Sequence, residues 1–436
     1  MNRTISDFFK NELTDYSVYS TIRMLGSACD GLKNAQRKVI YTALEKLKSE
    51  SKVSQFSGIV SINTEYLHGE TSLQSVIQNM AADYCGSNNI PLLKGEGNFG
   101  SRFINDPSAP RYVFVENQTF INDIFDIRDV LIEQNFEGFK IEPRFYVPSI
   151  PLLAVNGSPS AIASGFKQHI LPRKLSEIIK YLETGKADLT PYFKGFKGTI
   201  ERGDSPNQWL IKGKFHREGK RVIIDEIPIW IEYKKYLDVL DSLVESKKIK
   251  DYIDKSDSKT DSYCFEIYGI SQLPDSKIFD LLKLVKKESE TYNALDASNK
   301  VVTYDNINQI LDYYKEIRLK YMKLQNDFDL DSLKAKLGIL SSKYRFVNMI
   351  INDKLKINKR NKADIKADLA KTDLVVNDDY EYLLRMPIHS FTKETLEALK
   401  KDIDFIESEI KRLENIDLES NWLKTIKTKF KGFLNG

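Results

Sequence analysis

The sequence has few of the side chains that build disulfide frameworks and zinc sites. Its 436 residues include only three cysteines and four histidines. Cys29, Cys85 and Cys264 lie far apart, and no CxxC pair is present. We therefore expect neither a disulfide framework nor a zinc site, and a reducing cytoplasmic compartment fits this composition.

Long apolar runs are also missing. No stretch approaches the roughly 20 consecutive apolar residues that span a bilayer. The N-terminus leads into Asp7 and Phe8 without the apolar core of a signal peptide. We expect a cytoplasmic protein without a membrane partner.

The charges are nearly balanced. The chain carries 65 basic and 62 acidic residues, for a net charge of +3, and 41% of its residues are hydrophobic. Any nucleic-acid surface must therefore be a local basic patch rather than a property of the whole chain. The length is enough for about two to four domains with real cores.

Motifs for nucleotides and metals are weak. No GxxxxGK[ST] motif occurs, and the GxGxxG of Gly95–Gly100 precedes Ser101–Pro110, whose Asn, Asp and Pro residues predict a turn instead of the helix that a dinucleotide site needs. This excludes a nicotinamide-dependent oxidoreductase. Asp327, Asp329 and Asp331 spell DxDxD, which could hold magnesium, but an acidic turn between two helices is the favoured interpretation. We therefore predict no metal site.

One tyrosine is set in an unusual loop. Two glycines and Asn98 open the loop, two prolines stiffen its exit, and Arg111-Tyr112 stands where an extended run begins. A phenol has a pKa of about 10, so it is a poor nucleophile near neutral pH unless a cation stabilises the phenolate. Arg111 is the adjacent cation, although Tyr112 alone is only one of 22 tyrosines.

The first third of the chain reads as helical. The apolar spacing of residues 1–28 predicts a helix, and Tyr19 is one of its apolar positions. A second helix is predicted to begin near Lys33. Lys33, Arg37 and Lys38 cluster at the start of the second helix, where acids are usually preferred. An anionic partner and a solvated basic face both explain this cluster.

Residues 53–84 predict a helix-turn-helix, and the antiparallel stretch after it suggests a winged helix whose second helix enters a DNA groove. His68 stands just before that second helix. Backbone N–H groups at a helix N-terminus collect anions. We therefore expect His68 to face a phosphate.

The middle of the chain alternates strands and turns. Residues 148–157 predict a buried strand ending at Asn156, and residues 158–165 predict a loop from which Ile162 stands out. Residues 171–184 predict a helix, and residues 197–275 predict a second α+β region that the polar segment 251–262 interrupts.

The last third has heptad spacing. Two seams separated by a compact insert predict an antiparallel coiled-coil hairpin with a small globular tip. The first seam is Ile310, Tyr314, Ile317, Tyr321 and Leu324, and the second is Leu396, Leu399, Ile403, Ile406, Ile410 and Leu413.

Seven short motifs occur in one order along the chain. They are Asp30-Gly-Leu-Lys33, Gln36-Arg-Lys-Val39, His68-Gly-Glu70, Gly86-Ser-Asn-Asn89, Gly97-Asn-Phe-Gly100, Ala109-Pro-Arg-Tyr112 and Val155-Asn-Gly157. In this order they resemble the breakage-reunion part of the type IIA DNA topoisomerases, as in gyrase A and the eukaryotic enzyme. The short length is most similar to bacteriophage forms in which this part is a separate subunit.

The resemblance implies a catalytic group. In such an enzyme Tyr112 attacks a DNA phosphodiester, forms a phosphotyrosine with the 5′ end and releases a 3′-hydroxyl, so that a second duplex passes through the double-strand break. Arg111 would stabilise the pentavalent phosphate, with His68 and Arg37 as further catalytic partners.

The resemblance also implies the surface that binds double-stranded DNA. Ile162 would wedge between base pairs and favour bending. The other residues assigned to DNA binding are Lys33, Lys38, Lys94, Arg102 and Asn156.

The resemblance further implies an α+β multidomain architecture and an assembly. We expect a winged-helix cleavage domain over residues 1–155, an α/β tower domain over 156–300, and a long antiparallel coiled coil with a dimerisation gate over 301–436, with its helical tip at about 341–390. A homodimer through the winged-helix and coiled-coil gates would supply two tyrosines. Partner subunits would bring the ATPase domain with its ATP and the acidic domain that holds Mg²⁺, so this chain alone should not relax DNA.

Three positions depart from the family pattern. Cys29 stands where gyrase has an arginine, Asn34 replaces a proline, and Leu67 replaces the first of two histidines. A non-enzymatic winged-helix and coiled-coil DNA scaffold remains the alternative, although it does not account for Arg111-Tyr112 in its glycine loop.

Overall fold

The computed structural model describes residues 4–375 and 377–434. The fold is mixed, with 45% helix and 17% strand, so the predicted α+β class is confirmed. The chain divides into two compact units, Met1–Leu319 with Trp422–Gly436, and Lys320–Asn421. The finer division into three domains stays a prediction.

The helices and strands follow in chain order. The helices are α1 (Ile5–Lys10), α2 (Glu12–Met24), α3 (Asn34–Lys46), α4 (Val53–Thr64), α5 (Glu70–Ala81), α6 (Ile121–Ile124), α7 (Leu152–Val155), α8 (Leu175–Thr184), α9 (Tyr233–Glu245), α10 (Asp275–Leu281), α11 (Ile307–Ile351), α12 (Lys362–Leu369), α13 (Glu381–Leu384), α14 (Lys393–Glu414) and α15 (Leu418–Lys429). The strands are β1 (Ser51–Lys52), β2 (Leu93–Glu96), β3 (Phe114–Asn117), β4 (Gln134–Phe136), β5 (Phe139–Ile141), β6 (Ser158–Ala163), β7 (Phe166–Ile170), β8 (Thr199–Arg202), β9 (Gln208–Lys212), β10 (Lys214–Glu218), β11 (Arg221–Glu226), β12 (Asp251–Asp254), β13 (Phe265–Tyr268), β14 (Val285–Ser289), β15 (Tyr292–Leu295) and β16 (Val301–Tyr304).

Helices α3, α4 and α5 pack together beside a three-stranded antiparallel sheet of order β1-β3-β2. Each helix contributes fully buried apolar side chains, with Ile40, Phe56 and Ile77 at 0% exposure. The chain leaves α4 through Glu65, which has a left-handed backbone with φ of 48°. The predicted helix-turn-helix over 53–84 is confirmed in α4 and α5.

Two expectations for the segment after residue 147 are wrong. The expected strand is instead the short helix α7, because Pro151 begins a turn whose carbonyl accepts from the backbone N–H groups of Ala154 and Val155. A four-residue apolar run carries no periodicity that separates helix from strand. The expected loop at 158–165 is a hairpin of β6 and β7, in which Ile162 pairs with Lys167.

The second α+β region contains two antiparallel sheets, of order β10-β11-β13-β12 and β14-β9-β8. Helices α9 and α10 cover the first sheet through a core that includes Tyr236, Leu240 and Ile278. Residues 251–262 were expected to interrupt this region as a polar segment. This prediction is wrong for Asp251–Asp254, which form the edge strand β12.

The unit Lys320–Asn421 contains most of α11 together with α12 to α14. Lys334 of α11 and Glu414 of α14 form an ion pair at 3.0 Å, and a small core that includes Phe346, Leu369 and Leu383 joins the segments between these helices. No helix in the described part of the chain is long and apolar enough to cross a membrane.

The acidic turn expected at DxDxD is wrong. Asp327, Asp329 and Asp331 all lie inside α11, which continues to Ile351. Residues two apart on a helix point to different sides, so the three carboxylates do not converge. Asp329 instead accepts from Gln325 Nε2 at 2.9 Å, one helical turn away.

Candidate active site

Tyr112 lies on a turn that is attached to the start of α4. Its backbone N–H donates to Ala109 O at 2.9 Å. The carbonyls on both sides of it accept from α4, Pro110 O from Ser54 N–H at 3.2 Å and Val113 O from Val53 N–H at 3.1 Å. Because hydrogen bonds form on both sides of Tyr112, the backbone that carries the phenol is fixed to the N-terminal end of α4.

The loop before Tyr112 is held by close backbone packing. Gly100 has φ of +94°, and a Cβ there would lie 2.5 Å from Asn105 O. Asn98 Oδ1 accepts from Gly100 N–H at 2.9 Å, and Gln78 of α5 donates to Ser108 O at 2.8 Å. The residues directly after Gly100 form no helix, as the sequence predicted.

Arg111 changes the chemistry of the exposed phenol. Tyr112 is 66% exposed, and the guanidinium carbon of Arg111 lies 4.6 Å from its ring centroid. Hydrogen bonding and the positive charge of Arg111 lower the pKa of Tyr112 below its usual value. The tyrosine is therefore accessible, and its phenolate is more readily formed than that of an ordinary tyrosine.

Lys94 lies on β2, which pairs with the strand that follows the Tyr112 turn. It pairs with Glu116 across β2 and β3 at 2.5 Å, and both side chains are exposed. Strand β3 begins two residues after Tyr112. Lys94 is thus a surface cation on the sheet whose strand β3 follows the Tyr112 turn.

His68 belongs to a second group of side chains. Its Nε2 lies 2.6 Å from the hydroxyl of Tyr19 on α2. Burial, followed by the charges of Arg23 and Lys38, lowers the pKa of His68. The imidazole is therefore neutral at neutral pH.

The two groups lie at opposite ends of α4. The Tyr112 turn is bonded to Val53 and Ser54 at the helix start, whereas Lys38 Nζ donates to Thr64 O at the helix end at 2.5 Å. A helix of 12 residues is about 18 Å long. One chain thus brings Tyr112 and Arg111 together but does not bring them to His68.

Arg37 and Lys38 are buried, contrary to the expectation of surface cations. Arg37 Nε donates to Asp30 Oδ2 at 2.8 Å, and Lys38 Nζ lies 2.9 Å from Glu142 Oε1. Burial opposes the charge of Arg37, but the carboxylate of Asp30 outweighs it and raises the pKa of Arg37. Their roles at DNA stay predictions, and both act here on neighbouring protein groups.

Lys33 is the cation of this cluster that remains open to a ligand. Its side chain is half-buried and forms no ion pair within residues 4–375 and 377–434. Burial lowers the pKa of Lys33. Its backbone N–H donates to Gln36 Oε1 at 2.9 Å at the start of α3.

Two other residues predicted to bind DNA, Arg102 and Asn156, form hydrogen bonds within the protein. Arg102 is buried, and its guanidinium donates to Glu226 at 2.6 Å and to Ile227 O at 2.9 Å. Asn156 exchanges two hydrogen bonds with the backbone of Ile90, each at 2.9 Å. Arg102 thus forms an internal ion pair and Asn156 joins two loops, and their roles at DNA stay predictions.

Ile162 projects from the β6–β7 hairpin and is 68% exposed. The buried Gln168 anchors this hairpin, because its side chain bonds Gly26 N–H at 2.8 Å, Ser158 Oγ at 2.7 Å and Asn293 O at 2.8 Å. The hairpin therefore presents a large apolar side chain to solvent, and an exposed apolar side chain of this kind can contact an apolar partner.

Sequence reasoning missed the residues that pair with the cations. Asp30 and Glu142 are buried partners of Arg37 and Lys38, and Tyr19 contacts His68 from 49 positions away. Asp30 belongs to a short motif in which the lysine, and not the carboxylate, was the predicted functional group. Tyr19 was counted as an apolar position, and no local signal marks its contact.

The described residues include no group that fits a metal ion. Among them, no three His, Cys, Asp or Glu side chains come together as a metal site.

Known proteins are similar to this chain in sequence and in fold. The family of DNA gyrase and topoisomerase IV A subunits matches residues 23–431. The chain belongs to this family.

Several relatives are similar over nearly the whole chain. The mitochondrial DNA topoisomerase 2 of Dictyostelium discoideum is 30% identical over 96% of the chain and 34% of its own length. The DNA topoisomerase 2 of Invertebrate iridescent virus 6 is 31% identical over 97% of the chain and 38% of its length. The chain thus spans about a third of the length of these relatives.

A solved structure has the same fold. The DNA-binding, cleavage and re-ligation domain of Plasmodium falciparum topoisomerase II superposes with a TM-score of 0.85 and 31% identity, covering 98% of this chain and 64% of that one. The resemblance first seen in seven short motifs therefore extends to the whole described fold.

Proposed function

We propose that this chain is the breakage-reunion part of an ATP-dependent type II DNA topoisomerase, with Tyr112 as its nucleophile. The observation that carries the proposal is the exposed Tyr112, whose pKa Arg111 lowers, on a turn bonded to the start of α4. Accessibility, activation and a fixed position are what a nucleophilic tyrosine needs.

In the proposed reaction the phenolate oxygen of Tyr112 attacks a backbone phosphorus. A phosphorus–oxygen bond to tyrosine forms and the bond to the 3′ oxygen breaks, so that the 3′ oxygen leaves and takes up a proton. Arg111 stabilises charge on the pentavalent phosphate. One phosphodiester replaces another, so the released 3′-hydroxyl reseals the strand by the reverse attack without an external energy source.

The distance between the two groups in one chain favours a dimer. Because α4 separates Tyr112 from His68, we propose that Tyr112 and Arg111 of one protomer act with His68, Arg37 and Lys33 of its partner. A two-fold axis creates two such composite sites, one for each DNA strand. The relatives are DNA topoisomerases, which suits an assembly that cuts both strands.

The fold suggests where DNA would lie. We propose that α4, α5 and the β1-β3-β2 sheet are the winged-helix part, that residues 156–300 are the tower, and that α11 and α14 form a coiled coil ending in a dimer gate. Lys33 and Lys94 would contact the DNA backbone and give salt-dependent affinity. Ile162 would insert between base pairs and help to bend the duplex.

Partner chains would complete the enzyme. We propose that they hold Mg²⁺ and ATP, and that the assembly works in the cytoplasm, or in the host cytoplasm if a phage encodes it. The metal would neutralise charge on the scissile phosphate when bound. This chain supplies the nucleophile, the neighbouring arginine and the DNA-binding surface.

A reconstitution assay tests this proposal. The chain is mixed with candidate ATPase and magnesium subunits, and relaxation of supercoiled DNA is measured with and without ATP. We expect relaxation only with the partners, and none with Tyr112→Phe. Relaxation by Tyr112→Phe would contradict the proposal, as would DNA binding without relaxation in every combination, which is the result that a non-enzymatic scaffold predicts.

A further inference from the structure

The N-terminal helix α2 contributes a side chain to the group around His68. The Tyr19 hydroxyl lies 2.6 Å from His68 Nε2. The ring of Tyr66, two residues before His68, packs edge-on against the imidazole, with 5.4 Å between the ring centroids. The imidazole is therefore in contact with two phenol rings, and one of them also reaches its ring nitrogen.

The Tyr19 contact is not needed for packing. Tyr19 is 51% exposed, and Thr21 is the buried residue within α2. Burial of a phenol ring against a core therefore does not explain its position. A short hydrogen bond between exposed groups also costs side-chain freedom, so its geometry points to a role at His68.

The hydrogen bond links the tautomer of His68 to the direction in which the phenol hydroxyl of Tyr19 donates. In a neutral imidazole one ring nitrogen donates and the other accepts. If Nε2 accepts from the phenol, the proton lies on Nδ1. Within the described part of the chain Nδ1 has no hydrogen-bond partner, so its N–H is left to donate to a ligand.

The charges around His68 agree with a neutral ring. Burial and then Arg23 and Lys38 lower its pKa, and no carboxylate contacts the imidazole in the described residues. Glu142 lies beyond Lys38 and pairs with it. A neutral imidazole that donates from Nδ1 recognises an anion such as a phosphate oxygen.

We propose that Tyr19 is a positioning residue that holds His68 in the Nδ1–H tautomer, so that Nδ1–H donates to a non-bridging oxygen of the scissile phosphate. The opposite tautomer would turn the Nδ1 lone pair toward the phosphate and repel it. This inference rests on the proposed function, because it assigns a phosphate to His68. It adds a residue of α2 to the site.

The tautomer can be measured without any DNA cleavage. The chain has only four histidines, so ¹⁵N labelling of histidine gives a simple spectrum, and His68→Gln identifies the His68 signals. We expect protonated Nδ1 in the wild-type chain and a shift toward protonated Nε2 in Tyr19→Phe. Tyr16→Phe is the matched control, since Tyr16 lies on the same helix, is 65% exposed and forms no hydrogen bond in the described residues.

Cleavage is then measured in the complete assembly with its partner subunits. We expect Tyr19→Phe to form the covalent DNA adduct about 10-fold more slowly, which is less than the roughly 100-fold to 10,000-fold that a proton-transferring group itself contributes, and Tyr16→Phe to match the wild-type rate. Protonated Nε2 in the wild-type chain, an unchanged tautomer in Tyr19→Phe, or an unchanged rate would each overturn the role of Tyr19. A wild-type assembly that forms no adduct on Tyr112 would instead overturn the proposed function, and the phosphate contact with it.

Discussion

The guanidinium of Arg111 lies 4.6 Å from the ring centroid of Tyr112, and the two residues share a turn whose flanking carbonyls are bonded to the start of α4. The helix therefore holds the cation and the phenol together before any DNA arrives. Such preorganised charge is effective because no reorganisation is needed during the reaction.

Removing the charge of Arg111 should shift the pH dependence of cleavage. Hydrogen bonding and charge from Arg111 lower the pKa of Tyr112, and the reactive phenolate exists above that pKa. Arg111→Gln raises the pKa toward about 10, so the rise of the cleavage rate with pH should move to higher pH. At neutral pH we expect a rate about 100-fold to 1,000-fold lower.

The control for Arg111→Gln is Arg412→Gln. Arg412 is an exposed arginine of α14 that pairs with Glu409, and it lies in the other compact unit. Its removal should leave the pH profile of single-turnover cleavage unchanged. Equal profiles for Arg111→Gln and the wild type would show that Arg111 does not tune Tyr112.

Mixed dimers test whether the site is shared between protomers. A dimer of one Tyr112→Phe protomer and one His68→Ala protomer keeps one complete site if the residues act across the dimer. We then expect nicking of one strand at nearly the wild-type rate. With both substitutions in the same protomer, the remaining tyrosine should face the altered histidine and nick slowly. The reverse ranking of these two mixed dimers would place both residues of a site in one protomer.

The buried Asp30 should matter greatly for stability. Its carboxylate accepts from Arg37 Nε at 2.8 Å and from the backbone N–H groups of Leu32 and Tyr146, each at 2.9 Å. Asp30→Ala leaves the Arg37 charge buried and unpaired, so we expect urea denaturation to give a free energy of unfolding lower by about 3–5 kcal/mol.

An exposed ion pair provides the comparison for Asp30. Lys94 and Glu116 pair at 2.5 Å on the surface, so Glu116→Gln should change the free energy of unfolding by less than about 1 kcal/mol. Similar losses for Asp30→Ala and Glu116→Gln would mean that the Asp30 pair contributes no more than a surface pair.

Gly100 should be required for the shape of the tyrosine loop. Its φ is +94°, and a Cβ would lie 2.5 Å from Asn105 O, so Gly100→Ala must displace backbone. We expect adduct formation to fall at least about 10-fold, since small misplacements of reacting groups are costly, while DNA binding persists in a filter assay.

Gly58 offers the opposite case. It lies within α4, and a Cβ there meets no atom within 4 Å. Gly58→Ala should therefore stabilise the protein by about 0.5–1 kcal/mol.

Normal cleavage by Gly100→Ala would show that the loop does not need its left-handed backbone.

Local sequence patterns predicted the elements whose apolar residues have a regular spacing. The apolar spacing between 53 and 84 predicted α4 and α5, and the motif ending at Tyr112 predicted the candidate nucleophile. The short run Leu152–Val155 had no period and was assigned to the wrong element. The charges of Asp327, Asp329 and Asp331 favour a turn when they are taken alone. The three residues nevertheless lie inside the long helix α11.

Burial of charge could not be predicted from local sequence. Lys38 meets Glu142 across 104 positions, and Arg102 meets Glu226 across 124. Each basic residue alone looks like a surface cation. Only the fold brings a carboxylate to each of them, so the internal ion pairs of Lys38 and Arg102 could not be foreseen, while their roles at DNA stay predictions.

The most direct test of the central claim is to identify the residue that carries DNA. The chain, its partner subunits and supercoiled DNA are mixed with Mg²⁺, denatured rapidly and digested, and the peptides are analysed by mass spectrometry. We predict nucleotide on Tyr112 through a 5′ phosphate, and no adduct in Tyr112→Phe. Nucleotide on another residue, or complete relaxation of DNA with no adduct under conditions that trap cleavage, would contradict the account.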